Sequence, residues 1–173
     1  MKVTHLEVAE REINSAIRLL LKEEDILAVH TIVFAAHGVT YAMCRRKEIP
    51  SFMKDVCKKY IKEEFQKRYI DSLNEAGNFL KHATHDTNKS INFHEINTHL
   101  LLYDACGMYF ELTKKFSKEM HAYSTYMRIK YPQFLSKYDP KYEDTMKLVE
   151  EVKEKGLTET KVKEYLYEAF IKN

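Results

Sequence analysis

Residues 26–44 read ILAVHTIVFAAHGVTYAMC, a run that is apolar on nearly every side of a helical projection. A second run, residues 100–112, reads LLLYDACGMYFEL and has the same character. Because a helix without a polar face needs neighbours all round, both runs predict central helices. Only 4 glycines and 3 prolines are present, which favours long helices over strands and turns. We therefore predict an all-α, single-domain bundle of six or seven helices packed around two central apolar helices.

Caps and apolar spacing predict the other helices, working outward from these runs. Thr4-x-x-Glu7 is a capping box that predicts a first helix from about Leu6 to Lys22. Asp25 is a natural N-cap for the second helix, which reaches about Cys44. The remaining predicted helices are Ser51 to Tyr60, a long helix to about Ala83, His94 to Thr113, Ser117 to before Pro132, Lys141 to Lys155, and Thr158 to Lys172. The last two form a closing hairpin at about 139–173 of one domain, 1–173, and 84–90 is predicted to be a loop.

Composition narrows the class of protein. With 45% hydrophobic and 31% charged residues, the chain is globular and not disordered. A net charge of +2 gives no overall attraction to nucleic acid or anionic lipid, although basic residues outnumber acidic ones between Arg45 and Arg68. The start lacks a signal-length apolar stretch, and we expect no membrane span. The three cysteines are far apart and odd in number, which favours reduced thiols and a cytoplasmic protein.

Two histidines of the second helix are candidates for a buried polar cluster. His30 and His37 are seven residues apart and share one strip of the helix. Asp104, in the other apolar run, is costly to bury without a partner, and Glu111 lies one heptad further along. We predict that the polar strips meet and that Asp104 pairs with His30 or His37. The pair either fixes helix register or serves a ligand, and the former use is commoner.

A second candidate site lies at the end of the long helix. Asn78 and His82 project from the side opposite the apolar stripe. His82, His85 and Asp86 have the composition of a metal cluster, but His94-Glu95 and His99 miss the His-Glu-x-x-His spacing by one residue. Ordinary histidines at a helix C-terminus are the commoner case, so no metal or cofactor is assigned.

Asn78-x-x-x-His82 resembles the Arg-Asn-x-x-x-His segment of HEPN domains. These domains are helical bundles that often dimerise and in many members cleave RNA. The resemblance implies His82 as the catalytic group, with Asn78 orienting it, and RNA as a partner. The motif would place an arginine at position 77, where this chain has Gly77, and Lys81 or Arg68 could supply the missing cation.

Three segments of the chain also resemble a second family, one of uncharacterised bacterial helical proteins. They are 30–37, 78–83 and 101–105, so the resemblance spans about the first two thirds of the chain. No activity is established for that family, and the resemblance implies a helical fold without a function.

Aromatic residues interleave with basic ones between 114 and 142 and could stack on bases, but helix packing uses the same residues and is favoured. The patterns together favour a non-catalytic helical binding or regulatory module that forms a homo-oligomer, a homodimer by the HEPN resemblance. The alternatives are an HEPN-like ribonuclease or RNA-binding protein and a metal-dependent enzyme.

Overall fold

The computed structural model describes residues 1–82, 88 and 90–172 and confirms an all-α helical bundle. Its α-helices are α1 (His5–Leu21), α2 (Ile26–Arg45), α3 (Glu63–Lys81), α4 (Glu95–Thr113), α5 (Lys118–Lys130), α6 (Tyr142–Glu154) and α7 (Glu159–Leu166). Short helical turns at Phe52–Val56, Cys57–Tyr60, Pro132–Phe134 and Tyr167–Lys172 complete the described secondary structure. The predicted loop at 84–90 falls mostly outside the described residues.

The caps read from the sequence start the first two helices. Thr4 and Glu7 form the reciprocal capping box, in which the Thr4 amide donates to the Glu7 carboxylate at 2.7 Å. The Asp25 carboxylate accepts from the amides of Leu27 and Ala28, both at 3.0 Å. These bonds satisfy amides that have no partner within the helix, and so fix where each helix begins. Helices α1 and α2 form an antiparallel hairpin.

Helices α2 and α4 pack side by side in the same direction. His30 contacts Thr98, and His37 contacts Asp104, which lie seven residues further along α2 and six residues further along α4. Residue i of α2 therefore lies opposite residue i + 67 or 68 of α4. Two parallel helices need a long crossover, which residues 46–94 provide through the turns at 52–60 and α3.

Helix α3 approaches α2 through a glycine. Gly77 is buried, and a Cβ atom at this position would lie well inside van der Waals contact of the Phe34 ring. Helix α3 is separate from the turn at Cys57–Tyr60, because Ile61 between them adopts an extended backbone conformation.

The closing hairpin packs on α5 and α1. Gly156 has φ +59 after α6, the left-handed conformation expected of a glycine that ends a helix. Tyr123 and Tyr126 of α5 are among the largest fully buried side chains, and Val162 and Leu166 of α7 join the same core. These core tyrosines agree with the packing interpretation of the aromatic stretch, whereas Phe134 and Tyr138 further along it remain exposed.

Neither central helix is covered on every side, which corrects the prediction. On α2, Leu27, Gly38 and Ala42 are exposed, and on α4, Tyr103, Gly107 and Phe110 are exposed. The expectation that no segment resembles a membrane span also needs correction, because α2 is long and apolar enough to cross one. Length and composition are weak evidence, since core helices of soluble proteins pass the same test.

Candidate functional site

The buried polar cluster joins the two parallel helices at Asp104. His37 Nε2 donates to Asp104 Oδ2 at 2.8 Å, and both side chains are almost completely buried. Ser51 Oγ donates to the same oxygen at 2.6 Å, and the Phe52 amide donates to Asp104 Oδ1 at 2.9 Å. One carboxylate thus accepts from three donors on two other segments.

These bonds hold the helical turn at Phe52–Val56 against α4. Ser51 Oγ is also its N-cap, accepting from the Lys54 amide at 2.9 Å. Asp55 accepts from the Ser51 amide at 2.9 Å and from the Tyr41 hydroxyl at 3.1 Å. Because the first amides of a helical turn lack internal partners, Asp104 acts on this turn as a capping carboxylate supplied from 52 residues away. The cluster therefore positions the backbone of Phe52 and its neighbours.

His30 and Glu111 lie outside this cluster, contrary to the predicted four-residue group. His30 Nδ1 lies 2.9 Å from Thr98 Oγ1, six residues before Asp104 on α4. Glu111 is exposed and forms an ion pair with Lys114. The reason is register: the position opposite Glu111 is Cys44, at the last turn of α2, so the Glu111 carboxylate reaches solvent beyond the end of the helix pair.

His30 is buried without a charged partner. Its ring lies between Phe34 and Phe93, and Nε2 has no hydrogen-bond partner among the described residues. Burial lowers the pKa of His30 to about 4. The imidazole is therefore neutral at pH 7 and completely buried in the core.

The pKa of His30 gives a pH-dependent stability. Because the folded value is below the unfolded value of about 6.5, the unfolded chain binds a proton first as the pH falls. We expect His30 to account for a loss of about 1 kcal/mol in unfolding free energy between pH 7 and pH 5.5. Urea denaturation of wild type and His30→Leu at both pH values measures it. An equal loss in the variant would show that His30 is not responsible.

A second buried histidine, His99, belongs to a network that the sequence did not predict. Its Nδ1 lies 3.3 Å from the Tyr123 hydroxyl and its Nε2 lies 3.3 Å from Glu95 Oε1. Burial, reinforced by the nearby charge of Lys130, lowers the pKa of His99 to about 4. The local pattern showed only a mismatched metal motif, because two of the partners, Tyr123 and Lys130, come from α5, 24 and 31 residues away.

Glu159 extends this network to α7. It accepts from the Tyr126 hydroxyl at 2.6 Å and from Lys130 Nζ at 2.8 Å, and Lys163 Nζ lies 3.0 Å away. Burial alone raises the pKa of Glu159, but these hydrogen bonds outweigh it and lower the pKa to about 2. Every charge in the group has an opposite partner, so its evident role is to attach the closing hairpin to the core.

The Asn78 and His82 side chains are both exposed at the end of α3. Asn78 lines a groove of about 570 Å³ together with Arg68, Asp71 and Glu75. Position 77 faces Phe34 inside the bundle, so it is not placed to bind phosphate beside His82. His85 and Asp86, the other members of the predicted metal cluster, lie outside the described residues. Among the described residues, no three His, Cys, Asp or Glu side chains are grouped to hold a metal ion.

An apolar groove adjoins the Asp104 cluster, and we call it the aromatic groove. It has a volume of about 640 Å³ and is lined by Phe52, Met53, Cys57, Leu100, Tyr103, Met127, Arg128, Tyr131, Gln133, Phe134 and Leu135. Phe52, Tyr103 and Phe134 are 59%, 42% and 64% exposed, which is unusual for clustered aromatic side chains. Arg128 is held at 3.0 and 3.2 Å by the Asp139 carboxylate. Local sequence patterns do not predict this groove, because its walls come from three separate stretches of the chain, 52–57, 100–103 and 127–135.

Comparison of the chain with protein-family models, curated proteins and solved structures gives no match.

Proposed function

We propose that the protein is a non-catalytic, homodimeric binding module that uses the aromatic groove as its dimer interface. The observation that carries the proposal is the cluster of exposed aromatic side chains at Phe52, Tyr103 and Phe134. Exposed apolar patches of this kind mark interaction sites, and aromatic residues are enriched at their centres.

The chemistry of the buried polar groups supports binding over catalysis. His37 and Asp104 are saturated by structural hydrogen bonds, and His30 is enclosed by aromatic rings. A general acid or base must reach the proton that it transfers, and these three side chains are almost completely buried. The cluster serves the groove instead, because Asp104 holds the turn that carries Phe52 and Met53.

Charge supports a second copy of the chain as the occupant. A two-fold interface brings the same surface against itself, so a patch with one sign of charge repels its own copy. Among the described residues that line the aromatic groove, Arg128 alone is charged, and Asp139 neutralises it. The groove is therefore self-compatible.

Light scattering after size-exclusion chromatography tests the interface. We expect the wild type to have twice the monomer mass, and Phe134→Asp to be monomeric because dimerisation would bury an unpaired carboxylate. Tyr165→Asp is the matched control, since Tyr165 is an exposed aromatic residue on α7 outside the groove, and it should remain dimeric. A monomeric wild type, or a dimeric Phe134→Asp variant, contradicts the proposal.

An HEPN-like ribonuclease or RNA-binding protein is the second candidate. In its favour, Arg68 and Asn78 line the same groove and His82 is exposed nearby. Against it, Asp71 and Glu75 share that groove and would repel phosphate. Incubation with labelled single-stranded RNA distinguishes the two: we expect no cleavage, whereas cleavage that His82→Ala abolishes and His94→Ala preserves would establish the second candidate.

A further inference from the structure

A third groove runs along the open face of α2, and we call it the α2 groove. It has a volume of about 420 Å³. Its floor includes Ala35, Gly38, Val39, Ala42 and Met43. It shares no lining residue with the aromatic groove.

The floor has the spacing that receives a helix. Its five residues lie at positions i, i+3, i+4, i+7 and i+8, which form one continuous stripe on a helix surface. The stripe is about 12 Å long at 1.5 Å per residue, or two helical turns. A Cβ atom added at Gly38 would meet nothing within 4 Å, so the middle of the stripe is open. Small side chains here allow a second helix to approach to about 8 Å between axes.

The charged groups that line the α2 groove all have the same sign. Arg46, Lys54 and Lys81 are on its rim, and no acidic side chain is among the described lining residues. Lys54 Nζ lies 5.0 Å over the Tyr41 ring and Lys81 Nζ lies 4.9 Å over the Phe34 ring. The nearest acids act from outside the groove: Glu12 near Lys81, and Asp55 and Asp104 near Lys54. The ammonium groups therefore have capacity for an added anionic partner.

From the stripe and its basic rim, we infer that the α2 groove binds an acidic amphipathic helix of a protein partner. Apolar side chains of the partner pack on the stripe, and its flanking Asp or Glu residues pair with Arg46 and Lys81. A second copy of this chain does not fit, because a two-fold contact would oppose two basic rims. The inference rests on the proposed function as a binding module and adds the chemistry of the partner.

Peptide selection on the full-length protein tests the inference without knowledge of the natural partner. The probe is a phage-displayed library of helical peptides about 16 residues long, near the length at which isolated helices become stable. Apolar residues are fixed at i, i+3, i+4 and i+7, and the other positions are randomised among Glu, Lys, Gln and Ser. We expect Glu to be enriched over Lys, and the synthetic consensus peptide to bind in a fluorescence anisotropy titration.

Variants of the groove then locate the binding site. The double variant Arg46→Gln with Lys81→Gln should weaken the consensus peptide about tenfold, as expected for two exposed ion pairs. Gly38→Leu should abolish binding by filling the open stripe. Gly107→Leu is the matched control, at an exposed position of α4 where a Cβ atom also meets nothing within 4 Å. This variant should bind the peptide normally.

Several outcomes would overturn the inference. One is a selection without Glu enrichment, and another is a consensus peptide that binds Gly38→Leu as well as wild type. A third is a selection that yields no peptide, while the wild type binds phosphatidylglycerol vesicles and the double variant does not. That result would assign the groove to anionic lipid. Phe134→Asp should still bind the peptide, so failure of the dimer proposal is separate from failure of this one.

Discussion

Replacing Asp104 with alanine lowers the free energy of unfolding by about 3–5 kcal/mol, the largest loss that we expect from a single side chain of the buried cluster. The reason is that His37 Nε2, Ser51 Oγ and the Phe52 amide all donate to its carboxylate. Their removal from water is not compensated once the acceptor is gone. Urea denaturation followed by circular dichroism measures the loss.

Asp104→Asn keeps one carbonyl acceptor in nearly the same volume, so its loss should be smaller, about 1–2 kcal/mol. It also provides a folded protein if Asp104→Ala does not fold. Because Asp104 positions the turn that carries Phe52, Asp104→Asn should also weaken the proposed dimer, which we expect to dissociate at a higher protein concentration than that of the wild type. Glu111→Ala, one heptad along the same helix but exposed, should change stability by no more than about 0.5 kcal/mol. A loss below 1 kcal/mol for Asp104→Ala would contradict the role assigned to this carboxylate.

Replacing Gly77 with alanine lowers the free energy of unfolding by about 2–3 kcal/mol. Alanine is the better helix former by about 1 kcal/mol, so on propensity alone the change would stabilise α3. The added Cβ atom, however, overlaps the Phe34 ring, which is itself packed against His30. Separating α3 from α2 or moving the ring costs more than the helix propensity supplies.

A double-mutant cycle tests this explanation. In a Phe34→Ala background the ring is gone, and Gly77→Ala should then raise the free energy of unfolding. Gly107→Ala, at an exposed position with open space around it, should be stabilising by about 0.5–1 kcal/mol in wild type. If Gly77→Ala is also stabilising in wild type, the close approach of α3 to α2 is wrong. Gly77→Arg, which introduces the arginine that the HEPN motif has at this position, should be still more destabilising, since its side chain must enter the same contact.

The sequence predicted the helices because their causes are local. Thr4, Asp25, Ser117 and Thr158 each cap the helix that follows, because their side-chain oxygens accept from backbone amides two or three residues further on. Apolar spacing identified α2 and α4 as the core pair, and the cost of burying a carboxylate indicated that Asp104 needed a partner. Periodicity placed His30 and His37 on one strip, and in the structure both face α4.

Tertiary structure decided everything that depends on the relation between distant segments. The register of α2 on α4 pairs Asp104 with His37 and leaves Glu111 in solvent. Local sequence patterns do not contain the offset between the two helices. Likewise the open strips of the two apolar helices could not be read from composition, because an apolar residue has the same identity whether or not a neighbour covers it. The sequence by itself determined where the chain is helical, since capping and periodicity act within a few residues. Which faces meet, and which remain free to bind, was decided only by packing between elements tens of residues apart.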